Sequence, residues 1–459
     1  MRLYNTLTGK MEEVDSPDKQ IRIYLCGVTV YDYSHLGHAR TIIIFDVLRR
    51  YLLHKGYKVK FAQNFTDVDD KIINVAKQLN VEAKEVSERF IKQYFEDFDA
   101  LNVMRADVYP KATEHIKEMQ ELIKGLIEKD YAYASSNGVY FHVSSDREYG
   151  KLSKKPIDEL QAGARVEVDP SKKDPLDFAL WKLYDDGPLW DSPWGKGRPG
   201  WHIECSAMSI KYLGNGFEIH GGGEDLIFPH HENEIAQSEC YTGKMFARHW
   251  MHVGMVTIRG EKMAKSLKNI EPIHAALKKW SANAIRIYSL SGHYRKTLDY
   301  DDQLLADALA RWRDIETCAY ELQFADGTGG PVDEAMELAD KTLEQFTDAM
   351  DDDLNTPIAL SAFTSFVRAV NRYAASDHLS RAVAAVVKPA FDAMMYVFGL
   401  KIGEVSDVER KQIESMIEKR NELRAGKKFA EADKIREELK AMGVELMDHK
   451  GRTIWKKLA

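Results

Sequence analysis

Cysteine is scarce in this 459-residue chain: four residues, at positions 26, 205, 240 and 318, are too few and too scattered for a disulfide framework. They are packed thiols, metal ligands or reactive groups. A positive charge balance is also lacking, since 64 Lys and Arg face 72 Asp and Glu for a formal charge of −8. That excludes a polycation that coats nucleic acid indiscriminately, so any RNA contact must use a local patch. No run approaches the ~18 uninterrupted apolar residues of a membrane span, and the N-terminal MRLYNTLTGKMEEVDS has no apolar leader region. The expected location is cytoplasmic. Repeats and low-complexity tracts are absent as well. What is present, 44% hydrophobic and 30% charged residues, suffices to bury several cores, and the length suits roughly three domains at about 150 residues each.

The N-terminal third alternates strand-like and helix-like segments. IRIYLCGV (21–28) and KVKFAQNF (58–65) read as strands, a helical pattern runs between them from Ala39 to His54, and one long amphipathic stretch covers Asp70 to Leu101. Strand, helix, strand at this spacing predicts a parallel α/β unit. Residues 120–200 interrupt the rhythm with DGPLWDSPWGKGRPGW, which is turn chemistry throughout. The pattern resumes with a helix over 203–213, a strand and loop in FEIHGGGEDL, a helix in HHENEIAQSECYTG and a strand over 248–258. Helical periodicity dominates from 270 to 400, with a joint at ADGTGGP (325–331). The tail HKGRTIWKKLA carries four basic residues and one Trp, which suits either RNA contact or a solvated helical end with the aromatic tucked onto the body.

Three constellations carry chemistry. HLGH (His35 to His38) follows the first strand and precedes the first helix, where unpaired N–H groups and the positive dipole end favour an anion and Gly37 permits close approach. KMAKS (Lys262 to Ser266) lies in a lysine-rich loop; alone it reads as solvated surface, but two lysines three apart can clamp a triphosphate. The third set is Cys26, Cys205, His230 and Glu234: His230 and Glu234 stand at i and i+4, in reach of one atom on a helix, and two thiolates, an imidazole and a carboxylate suit zinc. His231, at i−3 from Glu234, is a rival ligand that helical spacing leaves open. The run DDD (351–353) reads as helix capping and surface charge.

HLGH and KMAKS in this order resemble the HIGH and KMSKS signatures of class I aminoacyl-tRNA synthetases, with Leu36 for the signature Ile and Ala264 for the signature Ser. Across nearly the whole chain, CGVTVYD, NFTDVDDKI, LQAGARVEV, GWHIECSAM, IHGGGEDLIFPHHENEIAQSE and SGHYRKTLDY resemble the cysteinyl-tRNA synthetase family. That resemblance implies zinc, one per chain, on Cys26, Cys205, His230 and Glu234. It also implies activation of L-cysteine by ATP with Mg²⁺ and transfer to tRNA(Cys), with His35, His38, Lys262 and Lys265 catalytic. Gly37, Gly222, Asp225 and Ser266 join in binding ATP, while Gly27, Thr29, Trp201, His220 and Asp225 meet the cysteine. Zinc fits the selectivity problem: an apolar pocket separates cysteine from serine or alanine by only ~1–3 kcal/mol, whereas a soft metal distinguishes a thiolate from a hydroxyl. Cys240 and Cys318 are expected to be core residues only.

The implied architecture is α/β. A Rossmann-like parallel-sheet catalytic domain in two halves (1–119 and 201–260) surrounds a connective insertion (120–200). A KMSKS-type loop and stem-contact region (261–315), a helical bundle (316–404) and a small C-terminal anticodon-binding domain (405–459) follow, the whole acting as a monomer. The other candidate is an ATP-dependent ligase that joins cysteine to an amino-sugar on the same catalytic fold, expected to lack the full C-terminal region.

Overall fold

The structure, a computed structural model, describes residues 1–154, 170–258, 260–262, 270–403, 407–449 and 452–457. An N-terminal hairpin of β1 (Arg2–Asn5) and β2 (Lys10–Glu13) leads into β3 (Gln20–Thr29). Helix α1 (Leu36–His54), β4 (Lys58–Thr66), α2 (Asp70–Leu79), α3 (Ala83–Ala100) and α4 (Ile116–Glu128) follow. The expected single stretch over 70–101 is thus two helices. Asn80 takes a left-handed conformation (φ 53°), tolerated by its short polar side chain, and closes α2 before Glu82 opens α3.

The insertion builds an antiparallel sheet of β5 (Ala132–Ser135), β6 (Gly138–Phe141), β7 (Phe178–Leu183) and β8 (Gly197–Pro199), whose Phe141, Leu180 and Trp181 share one core with Met119 and Leu122 of α4 and with Ile203 and Ala207 further along the chain. The chain then returns through α5 (Trp201–Leu213), β9 (Phe217–Gly223), α6 (Glu232–Thr242) and β10 (Ala247–Val253). The strand expected over 248–258 is broken, because at Gly254 the backbone runs so close to residue 296 that a Cβ would stand 2.6 Å from the Lys296 carbonyl oxygen. Past this break come β11 (Val256–Ile258), β12 (Glu261–Lys262), α7 (Ile273–Lys279), α8 (Ala282–Leu290) and β13 (Leu298–Tyr300), with β13 parallel to β11.

The central sheet has the order β10-β9-β3-β4, and every neighbour pair in it is parallel. From β3 the chain crosses to β4 on one side and later returns to β9 on the other. The crevice at the carboxyl ends of β3 and β9 is therefore the topological switch point, where open α/β sheets bind ligands. The β3–β4 register shifts between Leu25 and Val28, which sets Cys26 and Gly27 out of the regular ladder at that crevice.

By contact density the chain divides into two units. The first comprises Met1–Lys279, Ser289–Asp301 and Asp348–Pro357; the second comprises Trp280–Tyr288, Asp302–Thr347 and Ile358–Ala459. In the first, Asp353 is buried in a left-handed turn (φ 60°) and accepts from Tyr4 N, Tyr294 Oη and Arg295 Nε. Asp351 accepts from Tyr51 Oη and Lys55 Nζ. These two carboxylates are structural partners within the unit and not the capping and surface charge expected of DDD. The second unit is helical, with α9 (Asp302–Gln323), α10 (Val332–Asp351, its last turn in the first unit), α11 (Thr356–Ala375), α12 (Arg381–Phe398), α13 (Asp407–Ala425) and α14 (Phe429–Ala441). It ends in a hairpin of β14 (Val444–His449) and β15 (Arg452–Lys457). Trp455 is buried there among Ile413, Ile417, Ile435 and Leu439, so it is the tucked core aromatic and offers no open face for a base.

At the amino ends of the two inner strands, β3 and β9, the sheet is pinned by Arg22. Its side chain meets both carboxylate oxygens of the buried Glu218 (2.9 and 3.0 Å) and donates to the carbonyls of Leu213 and Gly216. Arg22→Ala removes the counter-charge and leaves that carboxylate the main-chain N–H of residue 22 (2.8 Å); with Arg22 partly in solvent, the expected loss is about 2 kcal/mol. Urea unfolding measures it, and a loss below about 0.5 kcal/mol would show that water replaces the guanidinium.

Candidate active site and metal centre

Helix α1 begins with its own imidazoles. His35 is the N-cap, its Nδ1 accepting from Gly37 N (3.1 Å), while His38 Nδ1 accepts from His35 N (3.3 Å); the rings stack at 3.9 Å. This is a capping box built from histidines. Because both Nδ1 atoms are acceptors, both neutral rings carry their proton on Nε2, so each is a donor. Gly37 is required for a local reason: a Cβ there would stand 2.9 Å from the folded-back His35 ring.

At the carboxyl end of β3, Cys26, Cys205, His230 and Glu234 bring their donor atoms within 4.8 Å of one another, all buried. Cys26 Sγ lies 3.7 Å from Cys205 Sγ and donates to Glu234 Oε1 at 3.3 Å; His230 Nε2 is 3.0 Å from the same oxygen. His230 belongs to the bent turn Ile227–His231 before α6, so the i, i+4 reach to Glu234 survives although residue 230 is not yet in that helix. Cys26, His220, His231 and Glu234 form a second quartet within the same 4.8 Å limit. His231 Nε2 is 3.3 Å from Cys26 Sγ, and His220 Nε2 is 3.5 Å from that sulfur and 3.3 Å from Glu234 Oε2. Outer contacts orient the rings: His202 Nδ1 is 3.0 Å from His230 Nδ1, His231 Nδ1 is 2.8 Å from His252 Nε2, and His252 Nδ1 is 2.8 Å from Thr6 Oγ1.

A divalent metal fits this cluster on three counts. Tetrahedral bonds of about 2.0–2.3 Å place neighbouring donors roughly 3.3–3.8 Å apart, and the separations above, 3.0 to 3.7 Å, overlap most of that range. Burial pushes the Glu234 carboxyl and the Cys26 thiol well above their ordinary ranges and keeps His220 and His231 neutral. The neighbouring Cys26 thiol, conversely, holds Cys205 down to about 7. Without a cation the site therefore pays for its burial: among the described residues His220 Nδ1 has no hydrogen-bond partner, and Glu234 Oε2 has only the His220 Nε2 contact at 3.3 Å.

Around the cluster, Gly27 N donates to Asn64 Oδ1 (2.9 Å), and a Cβ at position 27 would stand 1.6 Å from the Asn64 carbonyl oxygen. Asn64 Oδ1 also lies 3.6 Å from Cys205 Sγ, so one buried amide touches both walls. Sequence reasoning did not single out Asn64; its place two residues before the TDVDD run was the available signal. Thr29 closes β3 in register with Thr66. Trp201, half exposed at the start of α5, stacks on His230 at 4.1 Å. His220 is fully buried, stacked on Trp250 at 4.3 Å, whereas Asp225 stands on the exposed turn past Gly223. Gly221 to Gly223 lie inside β9, not in a turn beyond it. A Cβ at 221 would stand 2.2 Å from the Phe45 ring and 2.5 Å from the Met251 carbonyl, and one at 222 would stand 2.7 Å from Leu226. Lys262 ends β12; Lys265 and Ser266, with Ala264, lie outside the described residues, as does LQAGARVEV. Cys240 and Cys318 belong to neither quartet; burial pushes Cys240 up to about 12 and raises Cys318 further. Beside Trp201 and His202 a cavity of about 640 Å³ opens, lined also by Tyr140, Lys172, Lys182 and Phe228.

Among known proteins, residues 12–310 match the family model of tRNA synthetases class I (C) catalytic domain, and residues 345–402 match the DALR domain. The chain is 47% identical to Cysteine--tRNA ligase of Thermodesulfovibrio yellowstonii over 99% of both chains, and 47% identical to that of Carboxydothermus hydrogenoformans over all of both. Identity to the Geobacter sulfurreducens ligase is 48% over 99% of each. A Mycobacterium tuberculosis methionyl-tRNA synthetase in complex with methionyl-adenylate superposes with a TM-score of 0.62 at 16% identity, covering 82% of this chain and 90% of that one, a likeness of fold.

Gly221→Ala tests the closeness of β9 to α1. The added methyl forces Phe45 or β10 to shift, with an expected loss of about 1–3 kcal/mol read from the thermal unfolding midpoint; an unchanged midpoint would mean that the Phe45 ring yields freely.

Proposed function

We propose the following division of labour for a chain that belongs to the class I cysteine–tRNA ligase family and so joins cysteine to tRNA(Cys) at the expense of ATP. The observation that carries it is the convergence of two thiols, an imidazole and a carboxylate at the switch point of the sheet. Cys26, Cys205, His230 and Glu234 hold one zinc ion per chain; this quartet is preferred to the one with His220 and His231 because it offers two sulfurs. When bound, zinc supplies a Lewis acid that takes a thiol as thiolate in preference to a hydroxyl.

Gly27, Thr29 and Trp201 line the cysteine pocket, with His220 and Asp225 directed to the amino group and the adenosine. His35 and His38 donate from Nε2 to phosphate oxygens of ATP, which enters as its magnesium complex, with the N-terminus of α1 adding its dipole. Gly37 and Gly222 let the nucleotide approach the backbone. The cysteine carboxylate oxygen attacks the α-phosphorus, forming the mixed anhydride and breaking the bond to pyrophosphate. Lys262, Lys265 and Ser266 neutralise the charge that departs. The terminal tRNA hydroxyl then attacks the anhydride carbonyl and releases AMP. Positioning and electrostatics supply the acceleration without a dedicated general base.

The aromatic and lysine lining of the cavity beside Trp201 supports entry of the unpaired tRNA end there. The chain is read as a monomer, and its few, scattered cysteines, unsuited to a disulfide framework, support a reducing cytoplasm. No helix among the described residues is long and apolar enough to cross a membrane. The amino-sugar ligase alternative finds no support, because the relatives match over the full length and the DALR domain is present.

The test is charging of a tRNA(Cys) transcript with radiolabelled cysteine against excess serine, with metal measured on the same sample. Expected are cysteine-specific charging and about one zinc per chain; adenylate without charging would overturn the acceptor. Separately, Cys205→Ala is expected to lose most of the metal and cysteine-dependent pyrophosphate exchange, while the Cys240→Ala, Cys318→Ala double variant keeps both. Metal loss in the double variant would refute the ligand set.

A further inference from the structure

Arg40 follows His38 by two residues in α1 and is fully buried. Its guanidinium donates to four main-chain carbonyls: Nη1 to Gly254 (2.9 Å) and Met255 (3.0 Å), Nη2 to His293 (3.1 Å) and Lys296 (2.6 Å). Gly254 and Met255 lead into β11 and then β12, which ends at Lys262. His293 and Lys296 lead into β13, which pairs with β11 from Val256 opposite Leu298. One side chain thus ties α1 to both strands at the entry of the segment that carries KMAKS. The far stem is tied to the same stretch through backbone bonds and one ring contact: Leu36 N donates to Glu271 O (3.1 Å), Ile273 N donates to Ser34 O (2.9 Å), His35 forms a bridge with Pro272, and the Tyr33 and His274 rings lie 4.4 Å apart. Glu224 adds a contact at the entry, accepting from Met255 N at 3.0 Å.

We propose that Arg40 is a positioning residue for adenylate formation. It holds β11, and with it the near stem of the lysine segment, at a fixed offset from His35 and His38, so that both ends of the triphosphate are gripped in one geometry. This rests on the functional reading above. The side chain has to be arginine, because a planar fork with five donors can span carbonyls on separate segments, whereas a lysine gathers its three donors on one atom. The cysteine side of the site comes from β3, β4, α5, β9 and the turn that leads from β9 into α6, and the four carbonyls above belong to none of these. Disturbing Arg40 should therefore slow the chemical step and spare cysteine binding.

The experiment is cysteine-dependent ATP–pyrophosphate exchange with the full chain in its metal-loaded form, comparing wild type, Arg40→Lys and Gly254→Ala. Gly254→Ala keeps the guanidinium but drives a methyl to 2.6 Å from the Lys296 oxygen and 2.7 Å from its carbonyl carbon, prising the two strands apart. Both variants are expected to lose about 10- to 100-fold in kcat, the scale of an ångström misplacement, with the cysteine KM within about twofold and metal content unchanged. A kcat within about twofold of wild type in folded Arg40→Lys overturns the proposal. So does a loss shared equally by the cysteine KM or accompanied by metal release, which marks a merely structural role. Should Arg40→Lys fail to fold, Gly254→Ala decides alone by the same criteria. Absence of exchange in the wild type would instead bring down the functional reading.

Discussion

Two thiols, a carboxylate and several imidazoles share a space from which water is excluded, and in such a space each of them is costly unless a cation is shared among them. Burial alone drives Cys26 and Glu234 toward their protonated forms and the imidazoles toward neutrality. The rest of the first unit can be understood as the means of keeping these groups together against that tendency. Cys26 and Cys205 are 179 residues apart, and only a parallel sheet that returns to the opposite flank of its first strand closes that distance. The insertion between them shares one core with Ile203 and Ala207 of α5 and Ala236 of α6, the helices that carry Cys205 and Glu234, and so helps to seat them. Asn64, His202 and the His252–Thr6 pair then fix the directions of the donors from behind.

Close approach of backbone is the second constraint, and it explains where side chains are forbidden. Gly27 presses on Asn64, Gly221 on Phe45 and Met251, and Gly254 on Lys296. The first two bring β4 and α1 against the strands that line the crevice. The third brings together the two segments that Arg40 bridges. None of the three has a positive φ, so conformational freedom is not what selects glycine there; space is.

Periodicity made β3, α1 and β4 legible, because strands buried on both faces read as continuous apolar runs and α1 is apolar on most of its surface. The division at Asn80 was not legible, since the amphipathic pattern continues across it and only a left-handed residue marks the end. The C-terminal hairpin was missed in a segment of high charge, although VELMDH and RTIWKK pair antiparallel and put Trp455 inside. Asp353 was misjudged because its partners, Tyr4, Tyr294 and Arg295, are remote in sequence. Of the candidate site, the two signature histidines and the four donors could be named from residue type and resemblance. The histidine capping box could not, nor could Arg40, whose partners are main-chain carbonyls that leave no trace in side-chain pattern.

In the proposed mechanism, selection and chemistry occupy neighbouring ends of one short connection. Cys26 sits at the register shift of β3, and His35 caps α1 nine residues later. A cysteine held by its sulfur on the β3 side directs its carboxylate toward the α1 side, so the energy of thiol recognition is spent on aligning the nucleophile with the α-phosphorus. An amino acid without the thiol loses twice: it is held more weakly, and what is held is not aligned. Discrimination on this geometry accrues in the chemical step as well as in binding. On that reading a single site can exceed the ~1–3 kcal/mol of discrimination that an apolar pocket supplies.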